Sequence, residues 1–364
     1  MRSSEERGGK TMAKKIVIWL FCLVLGGSFL VFNIFSRQLS GDNHENRLLT
    51  SLPEVFQGPL SGLPGRLDQF IADNSPFRYQ LTALDAAIDY TLFGSSQSDQ
   101  VLPGKDGWLF YKDGPDAAHP VANYQGLPET FDSEETLAAA AASLQNLSDT
   151  LAQSGCTLVL DLAPSKDRVY REFMPDAYPV VNEENRTDRF AAYMTEHTTV
   201  AVSWPYEELR AEVLRRMEAG ESNLYFKTDT HWNHAGALIG LDGALSAAGL
   251  DAVDFARYEL GDNGIQTGDL ANVAALYTVL PEEHDLAALN YMELYESDPR
   301  TVGVVGDSFS GYYVQYLEQR FAGTWYQAPE TMTPELAAAP GCDVLIFSVT
   351  ERNLDMLLGL LAQF

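Results

Sequence analysis

Two short segments, far apart in the sequence, carry residue types that could serve as a serine nucleophile and its base. In YFKTDTHWNHAGA, Asp229 and His231 are two residues apart, so an extended backbone turns both side chains to one face. In TVGVVGDSFSGYY, Ser308 stands between an apolar run and a helical pattern, near a helix N-terminus. Histidine can take the proton of a serine hydroxyl, and a carboxylate fixes its tautomer. These residue types predict Ser308 as nucleophile, His231 as general base and Asp229 as the group that orients the base.

Both segments also allow a structural interpretation without catalysis. Asp and Ser are common N-cap residues, so Asp307 and Ser308 could simply begin a helix. Asp229 could likewise be a cap beside a buried, hydrogen-bonded His231. His234 follows His231 by three residues, but two such ligands without a nearby Cys or carboxylate partner are weak evidence for a metal site. Because the two segments together supply nucleophile, base and orienting carboxylate, we favour catalysis and predict neither a metal nor a cofactor.

Predicted strands and helices alternate in the part of the chain that holds these segments. Apolar runs typical of buried parallel strands lie at 157–163, 199–204, 301–306, 322–327 and 343–349. Helical patterns lie at 133–153, 186–197, 205–220, 233–249, 310–321 and 352–362. The alternation predicts an α/β fold with a mainly parallel sheet and helices on both faces. Functional groups collect at the carboxyl ends of such strands, so Ser308 is expected at that edge.

The N-terminal part predicts a membrane anchor and a connecting segment. Residues 1–15 are basic, and residues 16–35 form an uncharged run whose 20 residues suffice for a bilayer core of about 30 Å. The basic flank predicts a cytoplasmic N-terminus and an extracytoplasmic remainder. A cleaved signal peptide is the alternative, but its apolar region is shorter and ends at a small-residue site. We predict an uncleaved single-pass anchor, a linker and helical segment over 36–100, with a helix break near Pro76, and a catalytic domain over 101–364.

Composition narrows the classes of partner. The chain has 364 residues, 46% of them hydrophobic, which excludes wholesale disorder. With 24 Lys and Arg against 51 Asp and Glu, its net charge of −27 would repel phosphate backbones, so nucleic acid is not a predicted partner. Cys22 lies in the anchor. Cys156 and Cys342 each precede an apolar run; an exported chain could pair them, and two buried thiols are an equally good prediction.

The segments 229–232 (DTHW) and 306–310 (GDSFS) resemble the DHHW proteins and the related alginate O-acetyltransferases of the SGNH-hydrolase-like superfamily. Further matches are GKDGWLFY at 104–111, APSK at 163–166 and ERN at 351–353. The resemblance implies a three-layer α/β/α fold and an extracytoplasmic O-acetyltransferase of a cell-envelope or secreted polysaccharide, working through an acyl-serine intermediate. It also implies that a multispanning membrane O-acyltransferase supplies the acetyl group.

Several points stay open at this level. The same triad would serve a glycan acetylesterase, and a fold that keeps these residues could also be a non-catalytic glycan-binding scaffold. The chain lacks a Gly-x-Asn-Asp segment, which supplies the oxyanion-hole Asn in ordinary SGNH enzymes, so the predicted oxyanion donor is the amide of Ser308 or of one of its neighbours. The residues predicted to line the cleft or bind substrate are Trp232, Asp307, Lys166, Tyr170 and Arg352.

Overall fold

The computed structural model describes residues 14–24, 26–27, 48–74, 77–112 and 119–364. The chain forms two compact units, Met1–Phe93 and Gly94–Phe364. Residues 14–24 are helical and form α1, most of which lies inside the predicted anchor, and residues 26–27 are helical as well. Among the described residues, no helix has the length and apolarity needed to cross a bilayer. The rest of the predicted anchor and the start of the predicted linker lie outside the described residues.

The first unit continues with three helices, α2 (Leu52–Val55), α3 (Leu63–Asp73) and α4 (Arg78–Phe93). The sequence predicts a helical segment with a break near Pro76. Helices α3 and α4 lie on either side of residues 75–76, and the predicted break itself lies outside the described residues. The short helix α2 lies within the predicted linker and helical segment; Pro53 occupies its first turn, and Ser51 with Glu54 forms a capping box.

The second unit is built on a parallel sheet. The nine strands in the described part of the chain are β1 (Val101–Pro103), β2 (Leu109–Tyr111), β3 (Thr157–Ala163), β4 (Ala201–Ser203), β5 (Leu260–Gln266), β6 (Glu283–Ala288), β7 (Asp298–Gly306), β8 (Phe321–Gln327) and β9 (Val344–Thr350). The central sheet has the order β4-β3-β9-β7-β8, and every neighbouring pair in it is parallel. The five strands predicted from apolar runs are all present, which confirms the mainly parallel α/β fold.

Helices cover both faces of this sheet. The helices of this unit are α5 (Pro120–Gln125), α6 (Glu134–Gln153), α7 (Lys166–Val169), α8 (Arg186–His197), α9 (Tyr206–Ala219), α10 (His234–Ala247), α11 (Asp269–Val273), α12 (Tyr291–Leu294), α13 (Ser308–Arg320), α14 (Pro334–Ala338) and α15 (Leu354–Leu361). Alternate residues of β3 belong to two separate cores: Val159 packs with α9, α10 and α13, whereas Leu158 and Leu160 pack with α6, α8 and α15. The result is a three-layer α/β/α unit.

Two antiparallel hairpins lie outside the central sheet. β1 pairs with β2, and β5 pairs with β6. The sequence analysis did not predict the second hairpin, because β5 reads LGDNGIQ, with two glycines and no clear alternation of apolar and polar residues. Its residues are mostly exposed or half-buried, so burial gives it little apolar signal. This hairpin brings polar side chains to the site described below.

Candidate active site

Ser308 lies at the junction between β7 and α13. The strand ends at Gly306, Asp307 is the N-cap of α13, and Ser308 is its first residue, with an exposed side chain. Asp307 Oδ1 accepts a hydrogen bond from the amide of Phe309 at 3.1 Å, and Oδ2 accepts one from the amide of Thr350 at 2.7 Å. Asp307 therefore fixes the turn to the end of β9, and both of its oxygens are used in that role.

The loop between α9 and α10 carries the other two residues. His231 Nε2 lies 2.7 Å from Ser308 Oγ, and His231 Nδ1 lies 2.6 Å from Asp229 Oδ1. Asp229 Oδ1 also accepts the amide of His231 at 2.9 Å. Asp229 is buried, His231 is 15% exposed and Ser308 is open to solvent. The structure thus brings Ser308, His231 and Asp229 into the order of a nucleophile, a base and an orienting carboxylate.

Hydrogen bonds keep Asp229 ionised. Burial by itself would raise the pKa of Asp229, but the hydrogen bond and charge of the His231 ring and the amides of Asp269 and His231 outweigh it, and the pKa falls to about 2. Asp229 Oδ2 accepts the Asp269 amide at 2.9 Å and the Gln266 side-chain amide at 3.1 Å. An ionised carboxylate on Nδ1 stabilises the imidazolium that forms when His231 takes a proton.

Lys166 supports the loop that carries Asp229 through hydrogen bonds to its backbone. Its side chain is buried, and Nζ donates to the carbonyl oxygens of Phe226 and Lys227, both at 3.0 Å, and to that of Asp229. Burial lowers the pKa of Lys166 to about 8, against the opposing charge of nearby carboxylates. The ammonium lies 5.7 Å from the ring centroid of Trp108. Lys166 therefore positions the backbone of the Asp229 loop, although it also borders a small cavity with Arg352.

Two predicted cleft residues are core residues. The ring of Trp232 is completely buried, packs on Phe309 and donates from Nε1 to the Phe309 carbonyl at 2.9 Å. The Tyr170 hydroxyl is also buried and accepts the amide of Leu224 at 2.8 Å. Neither side chain walls the cleft: Trp232 connects the His231 loop to the first turn of α13, and Tyr170 supports the chain ahead of that loop.

Arg352, unlike Trp232 and Tyr170, is not fully buried. Its guanidinium lies 5.1 Å from the ring centroid of Tyr111 and 5.2 Å from that of Phe309, the residue after the nucleophile. Asp355 pairs instead with Arg186 at 2.5 Å. Within the part of the chain that the structure describes, no carboxylate pairs with Arg352, whose side chain is half-buried. It is the predicted cleft residue whose charge is best placed to meet a substrate.

Sequence reasoning missed several residues around the triad. Asp269 accepts the Thr230 amide at 2.7 Å and the Thr230 hydroxyl at 2.6 Å, and the ring of Tyr312 lies 5.5 Å from that of His231. The side-chain amide of Gln266 donates to Tyr312 Oη at 3.0 Å and to Asp229 Oδ2 at 3.1 Å. Asp269 follows Gly268 at the start of a short helix, a signal no stronger than that of an ordinary cap. Tyr312 lies one helical turn after Ser308, and this spacing could have indicated it.

Among the described residues, one group of side chains is compact enough to consider as metal ligands. Ligand atoms of Asp229, His231 and Asp269 all lie within 4.8 Å of one another. The nearer atoms are already engaged: His231 Nδ1 with Asp229, and both Asp269 oxygens with Thr230. These contacts are those of an oriented imidazole rather than of an open coordination site.

The backbone at the nucleophile fits the predicted oxyanion donor. Ser308 is the first residue of α13, where an amide has no acceptor within its own helix. The amides of Phe309 and Ser310, in contrast, donate to the Oδ1 and the backbone carbonyl of Asp307. The amide of Ser308 is therefore the donor at the start of this helix that remains for a developing oxyanion beside Oγ.

The family model and the similar proteins found by sequence comparison point to the same family. Residues 101–330 match the sequence model of the family described as "SGNH hydrolase-like domain, acetyltransferase AlgX". A probable alginate O-acetylase AlgJ from Pseudomonas putida is 27% identical over 208 residues, which cover 55% of this chain and 48% of that protein. The AlgJ protein of Azotobacter vinelandii is 25% identical over 289 residues, or 76% of this chain and 68% of that protein. This chain thus spans about half the length of the Pseudomonas putida relative.

Two solved structures match most of this chain at lower identity. The O-acetyltransferase domain of Pseudomonas putida AlgJ has a TM-score of 0.45 and 19% identity, and covers 72% of this chain and 98% of that domain. Bacillus cereus PatB1 has a TM-score of 0.46 and 14% identity, and covers 70% of this chain and 96% of that structure.

Proposed function

Since the chain belongs to the family of SGNH hydrolase-like domains of the acetyltransferase AlgX type, we propose that it is an O-acetyltransferase that acetylates a polysaccharide through Ser308. The observation that carries the proposal is the 2.7 Å contact between His231 Nε2 and the exposed Ser308 Oγ, with Asp229 on the other ring nitrogen. The names of the relatives, alginate O-acetylases, support a polysaccharide as the acceptor.

The first half-reaction forms an acyl-serine. Ser308 Oγ attacks the carbonyl carbon of an acetyl donor while His231 Nε2 takes the hydroxyl proton. The tetrahedral oxyanion is stabilised by the Ser308 amide, and the Asp229 carboxylate stabilises the imidazolium. When the donor oxygen leaves, His231 returns the proton to it, so the products are the free donor alcohol and acetyl-Ser308.

The second half-reaction transfers the acetyl group. A sugar hydroxyl attacks the acetyl carbonyl and gives its proton to His231, and Ser308 Oγ leaves as the second tetrahedral intermediate collapses. His231 then protonates Ser308 Oγ, which restores the free enzyme. Water in place of the sugar would give acetate and an esterase, so the outcome depends on which hydroxyl reaches the acyl-serine first.

Partners and cellular location form part of the same proposal. An N-terminal anchor would hold the catalytic unit on the outer side of the cytoplasmic membrane, beside a multispanning O-acyltransferase that delivers the acetyl group. The apolar run at residues 16–35 and the basic residues before it support this placement. Membrane fractionation, with protease added outside spheroplasts, tests it: the proposal expects a membrane-bound chain that is digested from outside.

A donor–acceptor assay tests the function. The chain is mixed with 4-nitrophenyl acetate, with and without an alginate hexasaccharide or chitohexaose, and both acetate and acetylated sugar are measured. The proposal expects acetylated sugar and an acetyl adduct on Ser308 in rapidly quenched samples. Ser308→Ala should abolish both, since the variant lacks the nucleophile. Release of acetate alone with every acceptor would favour the esterase, and no turnover by a folded wild-type chain would favour the scaffold.

A further inference from the structure

A second imidazole near the triad, that of His234, is hydrogen-bonded to a carboxylate through Nδ1, as is that of His231. His234 Nδ1 lies 2.5 Å from Asp285 Oδ2, and the His234 amide donates to Asp285 Oδ1 at 3.1 Å. The Asn263 side-chain amide also donates to Asp285 Oδ2, at 2.8 Å. Asp285 is buried, so this carboxylate holds Nδ1 and leaves Nε2 as the free nitrogen of the ring.

The free nitrogen of His234 is open to solvent. The side chain is 20% exposed, and Nε2 has no hydrogen-bond partner in the part of the chain that the structure describes. It is also not among the buried polar atoms that lack a partner. In the tautomer whose Nδ1 donates to Asp285, Nε2 carries a lone pair that accepts a hydrogen bond from a hydroxyl group.

One tyrosine ring, that of Tyr312, lies close to both imidazoles. The ring centroid of Tyr312 lies 5.5 Å from that of His231 and 5.0 Å from that of His234. The two histidines therefore lie along one side of α13, and an oligosaccharide bound along this side of the helix would meet both. Asp285 and Asn263 come from the β5–β6 hairpin, so the hairpin fixes the second imidazole as the loop fixes the first.

We propose that His234, held by Asp285 and Asn263, forms a binding subsite for the acceptor sugar, in which Nε2 accepts a hydrogen bond from one hydroxyl while a second hydroxyl reaches acetyl-Ser308. This inference rests on the proposed function. Donor cleavage needs the triad but no bound sugar, whereas transfer also needs the acceptor to be held against competition from water. His234 is an acceptor-binding residue in this arrangement, and His231 remains the base for both steps.

The charges around His234 favour a hydroxyl over an anion as its ligand. Asp285 is paired with the ring, and burial, which would raise the pKa of that carboxyl, is outweighed by the hydrogen bonds of His234 and Asn263, so its pKa is lowered. The nearby hairpin adds the exposed Asp262, paired with His284 at 3.1 Å. Asp262 and Asp285 would repel an anion at this place, whereas a neutral sugar hydroxyl meets no such repulsion.

The test measures how the acetyl-enzyme divides between sugar and water. With 4-nitrophenyl acetate as donor and alginate hexasaccharide or chitohexaose as acceptor, the ratio of acetylated sugar to acetate is compared for wild type, His234→Ala and His284→Ala. We expect His234→Ala to lower the ratio about tenfold and to raise the KM for the oligosaccharide, as loss of one hydrogen bond predicts. His284→Ala, which removes an exposed imidazole–carboxylate pair from the same hairpin, is the matched control and should keep the wild-type ratio.

Each outcome decides the inference separately from the proposed function. An unchanged ratio and KM in a folded His234→Ala variant would overturn the subsite while leaving the acetyltransferase intact. If the wild type releases only acetate, the transferase proposal fails, and inhibition of acetate release by the oligosaccharide becomes the readout. Inhibition that weakens in His234→Ala then supports the subsite; equal inhibition in both proteins, or none in the wild type, overturns it. Circular dichroism with a urea midpoint identifies unfolded variants, and His234→Gln repeats the measurement with a polar side chain.

Discussion

His231 Nε2 lies 2.7 Å from Ser308 Oγ, although 77 positions separate the two residues in the chain. Two independent supports produce this contact. The Asp307 cap sets the first turn of α13 against β9, and the buried Lys166 holds the carbonyls of the loop that carries the imidazole. Trp232 ties the two segments together through its hydrogen bond to the Phe309 carbonyl. Changes in these supports should therefore affect catalysis without removing a reacting group.

Asp229→Asn should lower kcat by about 10³–10⁴-fold with little change in KM, because an amide neither fixes the reactive tautomer of His231 nor stabilises its charge. Steady-state hydrolysis of 4-nitrophenyl acetate measures the effect. Asp262→Asn is the control, since Asp262 pairs with an exposed imidazole on the hairpin. An Asp229→Asn variant with more than a tenth of wild-type kcat would refute the assigned role.

Gly306→Ala should destabilise the second unit and lower activity, because the added Cβ would lie 2.4 Å from Ser310 Oγ and 2.9 Å from the Ser348 carbonyl oxygen. Relieving this overlap must shift the end of β7 just before Ser308, at a cost of about 1–3 kcal/mol. Gly311→Ala is the matched control: its Cβ meets no atom within 4 Å, and alanine favours a helix by about 1 kcal/mol. Urea unfolding and kcat are compared, and equal behaviour of the two variants would contradict the argument.

Lys166→Met should reduce both kcat and stability, since three loop carbonyls lose a charged donor in a buried site. A fall in kcat of about 10–100-fold is expected, together with a loss of about 1–3 kcal/mol in unfolding free energy. Lys105→Met serves for comparison because Lys105 makes an exposed ion pair with Asp176, and such pairs contribute less than about 1 kcal/mol. A Lys166→Met enzyme with normal kcat would show that the loop keeps its geometry unaided.

Asp242 should make stability depend on pH. Burial raises the pKa of Asp242 to about 7, although hydrogen bonds from Tyr295 and Tyr258 oppose the shift. Because the folded-state pKa is raised above the unfolded value, the contribution is present at low pH and is lost as pH rises through about 7. Relative to Asp242→Asn, the wild type should therefore lose up to about 3 kcal/mol of unfolding free energy between pH 5 and pH 8. Parallel urea curves for the two proteins at both pH values would refute the shift.

Oxidation should join Cys156 to Cys342. Both thiols are free and their sulfur atoms are 3.6 Å apart. Reaction with oxidised glutathione forms the protein disulfide and two molecules of reduced glutathione, by way of a mixed disulfide. Peptide mass spectrometry should find the linked peptides with two hydrogen atoms lost, and the bond should add about 2–4 kcal/mol of unfolding free energy. Cys156→Ser should show no such gain; linkage without any gain in the wild type would mean that closure strains the strand ends.

Local patterns predict the scaffold well for physical reasons that act at short range. Buried parallel strands need continuous apolar runs, and all five such runs form the central sheet. Ser133 begins α6 as a cap that accepts the Thr136 amide, as its residue type predicts. The β5–β6 hairpin gave no comparable signal because its strands bury little apolar surface, so its contribution to the site could not be foreseen.

Cleft-lining predictions were less successful than the prediction of the triad's geometry. Trp232 and Tyr170 are of types that often contact sugars, yet both are buried with their polar atoms satisfied in the core. Residue type states what a side chain can do, whereas burial depends on neighbours contributed by distant segments. Arg352, which follows the last strand, remains beside the cleft because no described carboxylate takes its charge.

The amino-acid sequence alone indicated the three groups proposed to react, the two-residue spacing of Asp229 and His231, and the strand–helix junction at Ser308. Tertiary structure alone decided which partners complete the site: Lys166 beneath the loop, Gln266 and Asp269 on the second oxygen of Asp229, and the pairing of His234 with Asp285. The two differ because the interactions involved act over different distances along the chain. Periodicity and capping act over a few residues, whereas a buried polar group is satisfied by whichever segment the packed core brings within hydrogen-bond distance.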